Sequence, residues 1–573
     1  MRNNTTVSLL RRLAFIILIA CTCFLMLPPM ANAANVEIPD PRLRAALNSA
    51  LGKGAGTEIT ATELATLQRL DAPESGIREL TGLEFAVNVT ELHLGQNQIK
   101  DVSPLKDLTK LNMLDLHRNW RLRDISPLTN LKNLTWLSLR GNRISDVSPL
   151  ENLTRLTYLH LAYNQNLSDI SPLRRLTNLT HLDIEANEIS DVSVVKHFTH
   201  LTYLDFDCNR VSDVSSLEDL VHLTLLDASD NKIADISALR KLIHLRELDL
   251  DTNAISDVSS LEKMTKLWEL DLHGNLISDI SSLKKITNLR VLDLDDNLIS
   301  NISPLENMIH LTIELDLDGN LISDISPLEN MIHLRELDLD GNLIKDVSVL
   351  GALINLEVLD LHDNEIADIS PLSTLVNLMD LDLDDNVISD ILPLGVLTNL
   401  TILDLDGNLI SDVSPLRGLV NLKVLDLHDN CISDFSAIAG LIAGLEEYDN
   451  SDQKQPPIPK AVNGEDVLAA PSAHHPKRTA LLANYPNPFN PETWIPYHLA
   501  EDADVLISIY SSRGDRIRTL TLGEQPAGIY ESRRDAAYWD GRNQLGERVA
   551  SGVYFYTLSA GDFTATRKLL IKK

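Results

Sequence analysis

Leucines recur along most of the chain in a unit that combines two periods, L-x-x-L-x-L-x-x-N-x-I-S-D-I-S-P-L-x-x-L. In Leu292-Asp293-Leu294-Asp295-Asp296-Asn297 apolar and polar residues alternate, which predicts a short strand with its leucines inward. Asn297 then predicts a turn. A buried Asn can bond the backbone of neighbouring turns, so stacked Asn residues form a ladder that satisfies otherwise unpaired groups. Ile299 returns to the core. A stretch such as Asp324-Ile325-Ser326-Pro327-Leu328 predicts a short 3-10 turn, capped by Ser or Asp and opened by Pro. No unit can bury its leucine stripe alone, so the units must stack into a solenoid. The Asn recurs sixteen times from Asn97 to Asn430, twelve times at a spacing of 22 residues and three times at 23. The longer units hold one extra residue, within Trp120-Arg121-Leu122, within Gln165-Asn166-Leu167 and at Ile313. Sixteen strands at roughly 4.8 Å predict a ribbon of about 75 Å.

This unit resembles the 22-residue leucine-rich repeats of bacterial internalin-type surface proteins, over residues 70–448. The resemblance implies an α/β horseshoe with a parallel sheet on its concave face and short 3-10 turns on its convex face. Residues 34–69 fit the family's helical cap. Asp40-Pro41 opens a helix carrying Leu43, Leu47 and Leu51, Gly52 ends it, and Thr60-x-x-Glu63 is a capping box for a second helix. Leu80 and Leu83 belong to a degenerate first repeat.

Charge narrows the partners. The formal net charge is −32; the first 33 residues bring +3 and residues 449–573 balance, so the stretch 34–448 carries −35. An acidic body repels nucleic acid and anionic lipid and favours basic partners or cations. The N-terminus reads as a signal peptide, residues 1–33: Arg2, Arg11 and Arg12, then an apolar run from Leu13 to Leu27, then Ala31-Asn32-Ala33. A lipobox-like Leu18-Ile19-Ala20-Cys21 offers the alternative of lipidation at Cys21. No other segment is apolar enough to span a membrane, so an integral membrane protein is not expected. Cys208 and Cys431 stand ten repeats apart, about 48 Å at the strand spacing, too far for a disulfide. Cys208 is expected as a small packed turn residue.

The exposed strand positions divide in two. A middle column is Asp in thirteen of sixteen repeats, among them Asp249, Asp293, Asp316 and Asp338; the next column adds Asp251, Asp295, Asp318 and Asp340. Like charges on neighbouring strands repel. Three readings stand for this stripe: solubility of a duplicated consensus, weak calcium binding by carboxylates, or a basic protein partner. The early repeats differ, with Trp136, Arg140, Tyr158, His160, Tyr163, His181 and Tyr203 on or beside the concave face. Aromatics and Arg anchor protein interfaces, and aromatic platforms also suit sugars. Another Asp column, from Asp101 to Asp434 with Asn301 as exception, sits where the convex turn needs a cap.

Residues 449–478, rich in Pro, Ala and polar side chains, read as a flexible linker. Residues 479–573 carry alternating runs at 505–510, 516–520, 552–558 and 566–571, which predict a small all-β sandwich. Asn484-Tyr485-Pro486-Asn487-Pro488-Phe489-Asn490-Pro491, Trp539-Asp540-Gly541 and Ala550-Ser551-Gly552-Val553-Tyr554 resemble the immunoglobulin-like domain shared by the flagellar hook-capping protein and type IX secretion sorting domains. Lys568 to Lys573 is similar to the basic last strand of the sorting version. The resemblance implies export or surface anchoring, through secretion or outer-membrane machinery. The expected function is a secreted or surface binding protein for a protein or glycan ligand, the alternative a ligand-free envelope scaffold. An enzyme is not expected, a carboxylate-based hydrolase being the remote alternative: every repeat offers the same carboxylate pair on an open face, without a nucleophile elbow, zinc spacing or phosphate loop.

Overall fold

The computed structural model describes residues 35–453, 479–481, 493–511, 516–530, 536–544, 547–561 and 563–571. The expected signal peptide with Cys21, the expected linker from 454 onward, the motif 484–491 and the last two lysines lie outside them. The chain divides into two compact units, Met1–Pro456 and Pro457–Lys573. Among the described residues no helix is long and apolar enough to cross a membrane.

The first unit is a solenoid with one parallel sheet of eighteen three-residue strands, from Arg69–Asp71 to Glu447–Asp449, paired in sequence order and in register. Strand leucines such as Leu270, Leu292 and Leu315 stack directly and are fully buried. The Asn ladder forms as expected. Asn297 Nδ2 donates to the carbonyls of Leu272, Leu294 and Asp295, and its Oδ1 accepts from Ile277 N–H of the preceding turn at 2.9 Å. Sixteen asparagines undercount the sheet by its two ends. The first strand lies in the degenerate repeat, and the last is closed by Gln453, whose Oε1 accepts from Ile432 N–H at 2.8 Å and whose Nε2 donates to Leu427 O. The longer side chain reaches the same groups, so the repeat runs past Tyr448. Where Trp120-Arg121-Leu122 adds a residue, Leu122 N–H turns back to Asn119 O, and Asn142 Oδ1 is left without a hydrogen bond. The residue before every ladder Asn has positive φ. This overturns the packed turn expected at Cys208: it is exposed, with φ 52°, and both cysteines are free.

Opposite the sheet, short 3-10 turns such as Ser326–Asn330 begin each return. Asp supplies the cap rather than Ser: Ser126 N–H donates to Asp124 Oδ1 at 2.8 Å, and Asn301 does the same for Ser303. At the N-terminal end the helix Pro41–Ala50 is capped by Asp40, which accepts from Arg42 and Leu43 through Oδ1 and from Arg78 and Glu79 through Oδ2. One carboxylate thus joins the cap to the first repeat. Leu43 and Leu47 are fully buried, whereas Leu51, beside the terminating Gly52, is half-buried. The second helix, Ala61–Leu64, is a single turn held by the Thr60–Glu63 capping box.

The second unit is antiparallel β. Arg516–Gln525, Ala503–Ser511, Gly552–Ala560 and Phe563–Ile571 form a four-stranded sheet in that order, beside smaller sheets of three and two strands. Ile495, Tyr497, Ile507, Trp539, Tyr556 and Leu569 share its core. Buried Trp539 keeps its indole N–H paired with Arg542 O at 2.9 Å.

Candidate binding face

In-register pairing converts each strand position into a column. The first column runs Glu91, Met113, Trp136, Tyr158, His181, Tyr203, Leu225, Glu247. Six uncharged or aromatic residues in succession, about 24 Å at the strand spacing, are bounded by a glutamate at each end. Four of them form a continuous stack. Trp136 and Tyr158 have centroids 4.9 Å apart, Tyr158 and His181 4.2 Å, His181 and Tyr203 3.9 Å, all within 18° of parallel. Strand spacing is close to ring-stacking distance, so identical positions on adjacent strands stack without distortion. Each contact contributes roughly 0.5–1.5 kcal/mol beyond burial.

The remaining predicted residues flank the stack. His160 meets Tyr158 edge-on at 6.4 Å, and its Nε2 lies 2.8 Å from Asp183. Arg140 covers the ring of Tyr163 at 4.8 Å, on the left-handed turn beside the sheet. The Tyr203 hydroxyl donates to Asp205 at 3.0 Å. Burial holds His181 down to about 4, so it is neutral at pH 7. Burial and nearby carboxylates raise the Tyr158 and Tyr203 hydroxyls. The stack covers its own inner ring faces. Met113 and Leu225 belong to this band and escaped sequence reading; so did Trp120, exposed between Arg121 at 4.4 Å and Arg143 at 5.9 Å. Register would have found the first two, and the inserted residue marked the third.

Beyond Asp183 the middle column is all Asp to Asp449. One oxygen of each carboxylate is tied to the backbone, since Asp249, Asp293, Asp316 and Asp338 accept the N–H of Asp251, Asp295, Asp318 and Asp340 at 3.0–3.1 Å. Burial first, and neighbouring carboxylates second, push Asp205 and Asp249 up to about 8 and Asp271 to about 7. Burial likewise takes Asp316 and Asp338 to about 6, partly offset by their backbone hydrogen bonds. The formal charge therefore overstates the charge this face carries at neutral pH. Asp249, Asp251 and Asp271 gather as an all-oxygen set, as do Asp183, Glu185 and Asp205. Asp293 and Asp295 gather instead with His273, and Asp360 and Asp382 with His362. Among the described residues Asp316, Asp318, Asp338 and Asp340 join no such set, although Asp340 lies 3.3 Å from His362. The histidines of the third column went unread because its carboxylates dominate the pattern; aligning the columns exposes them.

The family model for Leucine Rich repeats (2 copies) matches residues 87–130, 132–175, 221–263, 265–307, 313–352, 354–395 and 398–440, more than half of the chain. The chain belongs to the leucine-rich-repeat family. A single-repeat model adds 175–196 and 197–215, and the FlgD Ig-like domain model matches 492–562. Among solved structures, the functional domain of InlJ from Listeria monocytogenes is 20% identical at a TM-score of 0.54, covering 94% of this chain and all of that one. A leucine-rich-repeat protein of Leptospira interrogans is 23% identical at 0.56, covering 68% and 97%. The plant peptide hormone receptor RGFR1, solved in complex with RGF2, is 22% identical at 0.56, covering 69% and 76%. These share its fold. No curated protein sequence matches the chain.

Proposed function

We propose that this is an exported binding protein that takes a protein ligand on the early part of its sheet face, with residues 479–573 serving export or surface anchoring. The observation that carries the reading is the uncharged run from Met113 to Leu225, with its four-ring stack, bounded by Glu91 and Glu247 and followed by an unbroken middle column of Asp. Stacked rings form a rigid anchor that loses little entropy on binding, and the surrounding carboxylates would steer a partner with basic flanks. The similarly folded plant peptide hormone receptor RGFR1, solved in complex with RGF2, supports a ligand of this kind. The FlgD Ig-like match supports the role of the end module.

The test is a capture screen of surface proteins and glycans with the full chain, repeated with Trp136→Ala, Tyr158→Ala and Tyr203→Ala combined. Captured protein partners should be lost with the triple variant while its circular dichroism melt stays cooperative. Capture of glycans alone, or protein capture unchanged by the triple variant, would overturn the reading.

A further inference from the structure

We propose that the late sheet face holds two sites for a borderline transition metal of the zinc class, His273–Asp293–Asp295 and Asp360–His362–Asp382. The proposal is independent of the ligand face proposed above. In each set the ligating atoms lie within 4.8 Å of one another, close enough to converge on one ion of this class, whose bonds to such ligands are about 2.0–2.2 Å. Both sets arise at the same sequence pattern, His273 joining two aspartates of the next repeat and His362 joining Asp360 of its own repeat and Asp382 of the next. The local sequence is Leu-Asp-Leu-His, in Leu270-Asp271-Leu272-His273 and in Leu359-Asp360-Leu361-His362, and the next repeat reads Leu-Asp-Leu-Asp. Register places the middle-column aspartates side by side, Asp271 with Asp293 and Asp360 with Asp382.

The histidine sites differ from a mere row of carboxylates. His273 Nδ1 and Asp295 Oδ1 are shielded from solvent and meet each other directly, while Asp384 Oδ1, in the repeat that supplies Asp382, is buried without a hydrogen bond. Buried polar atoms without partners are rare in folded proteins. Asp340 lies 3.3 Å from His362 Nδ1, so an outer carboxylate orients the imidazole and leaves its other nitrogen for an ion. In the three sheet-face columns from Glu247 to Ser451 there is no lysine or arginine, so the carboxylates have only histidines as basic neighbours. Imidazole with two carboxylates suits zinc and its neighbours in softness, whereas calcium and magnesium favour all-oxygen shells. His428 supplies a contrast: its Nδ1 lies 2.9 Å from Asp406 and its Nε2 3.3 Å from Asp452, so both nitrogens are engaged.

The test is equilibrium dialysis of the full chain, stripped with chelator, against zinc in the presence of excess calcium, with His273→Ala, His362→Ala and His428→Ala alongside. Two zinc ions per chain are expected, one fewer in each of the first two variants, none in the double variant and two still in His428→Ala. Cobalt gives a second readout: its visible d–d absorption should appear on titration and halve in each single variant. Retention of two ions by the double variant, displacement of zinc by calcium, or no zinc bound would each overturn the proposal. His273→Gln and His362→Gln, which keep a polar side chain, should lose the same ions if an alanine variant melts early.

Discussion

Raising the pH from 5 to 8 should destabilise the solenoid, and the sheet face sets how much. Asp205 and Asp249 ionise near 8 in the folded chain and Asp316 and Asp338 near 6, against an ordinary value near 4 once unfolded. Groups raised in the folded state contribute stability that is complete below the unfolded value and lost as pH rises through the folded one. Between pH 5 and 8 the folded chain thus binds more protons than the unfolded chain, and stability falls with pH. These side chains are partly open to water, so their shifts are discounted for screening. A single net proton held across the stretch already gives about 1.4 kcal/mol per pH unit, or about 4 kcal/mol over the range. The assay is urea unfolding followed by circular dichroism at constant ionic strength, with chelator present so that no metal replaces the protons. Asp205→Asn with Asp249→Asn keeps the acceptors for Asp207 and Asp251 N–H and should stabilise at pH 8 while changing little at pH 5. A flat or rising midpoint from pH 5 to 8 would refute the reasoning. The cap column acts in the opposite sense: serine N–H groups hold Asp124 and Asp191 below the ordinary range, so their stabilisation is lost as pH falls below about 4.

Asn297→Ala should cost about 3 kcal/mol in urea unfolding, because Ile277 N–H loses its partner and two turns lose their link, whereas Asn142→Ala, whose Oδ1 makes no hydrogen bond, should cost about 1 kcal/mol. Asp40→Ala strips acceptors from four N–H groups and should lower stability by about 2–3 kcal/mol, read as faster hydrogen exchange confined to residues 35–80. Cys208 is exposed, but partial desolvation of its thiol and the carboxylates of Asp207 and Asp230 push it up, so an aromatic disulfide reagent at pH 8 should label it slowly and Asp230→Asn should speed labelling. Buried Cys431 should label only on unfolding, and reductant should leave the melting temperature unchanged.

The fold was legible because each repeat states its structure locally. Leu292 and Leu294 fix a face, Asn297 a turn and Ile299 a return, and repetition removes the ambiguity of any single unit. What escaped depended on contacts between units. Gln453 closes the ladder in place of Asn, which no search for Asn would find. The positive φ at Tyr163 and Cys208 was masked because only some repeats carry Gly there. The aromatic cluster was read as neighbours; that Trp136, Tyr158, His181 and Tyr203 form one stack, continued by Met113 and Leu225, follows only from register.

Register also explains why the two halves of the face behave differently. In a parallel sheet of identical turns, every side chain meets its own counterpart about 4.8 Å away, so duplicating a repeat multiplies whatever that side chain does to itself. An aromatic ring repeated on successive strands gains a stacking partner, as from Trp136 to Tyr203. A carboxylate repeated on successive strands gains a repulsion, as from Asp183 to Asp449. The near-copies Leu305–Leu311 and Leu328–Leu334 mark where the array grew by duplication, and each copy lengthened the acidic column by one. Such growth is tolerated only if positive charge comes from elsewhere, as protons, as ions or as a partner. Burial, which raises the folded carboxyls to about 6 to 8, favours the first of these, and the His–Asp–Asp sets offer a place for the second. Removing His273 and His362 should therefore leave a face that answers to pH but no longer to zinc, which separates the two ways of balancing one column.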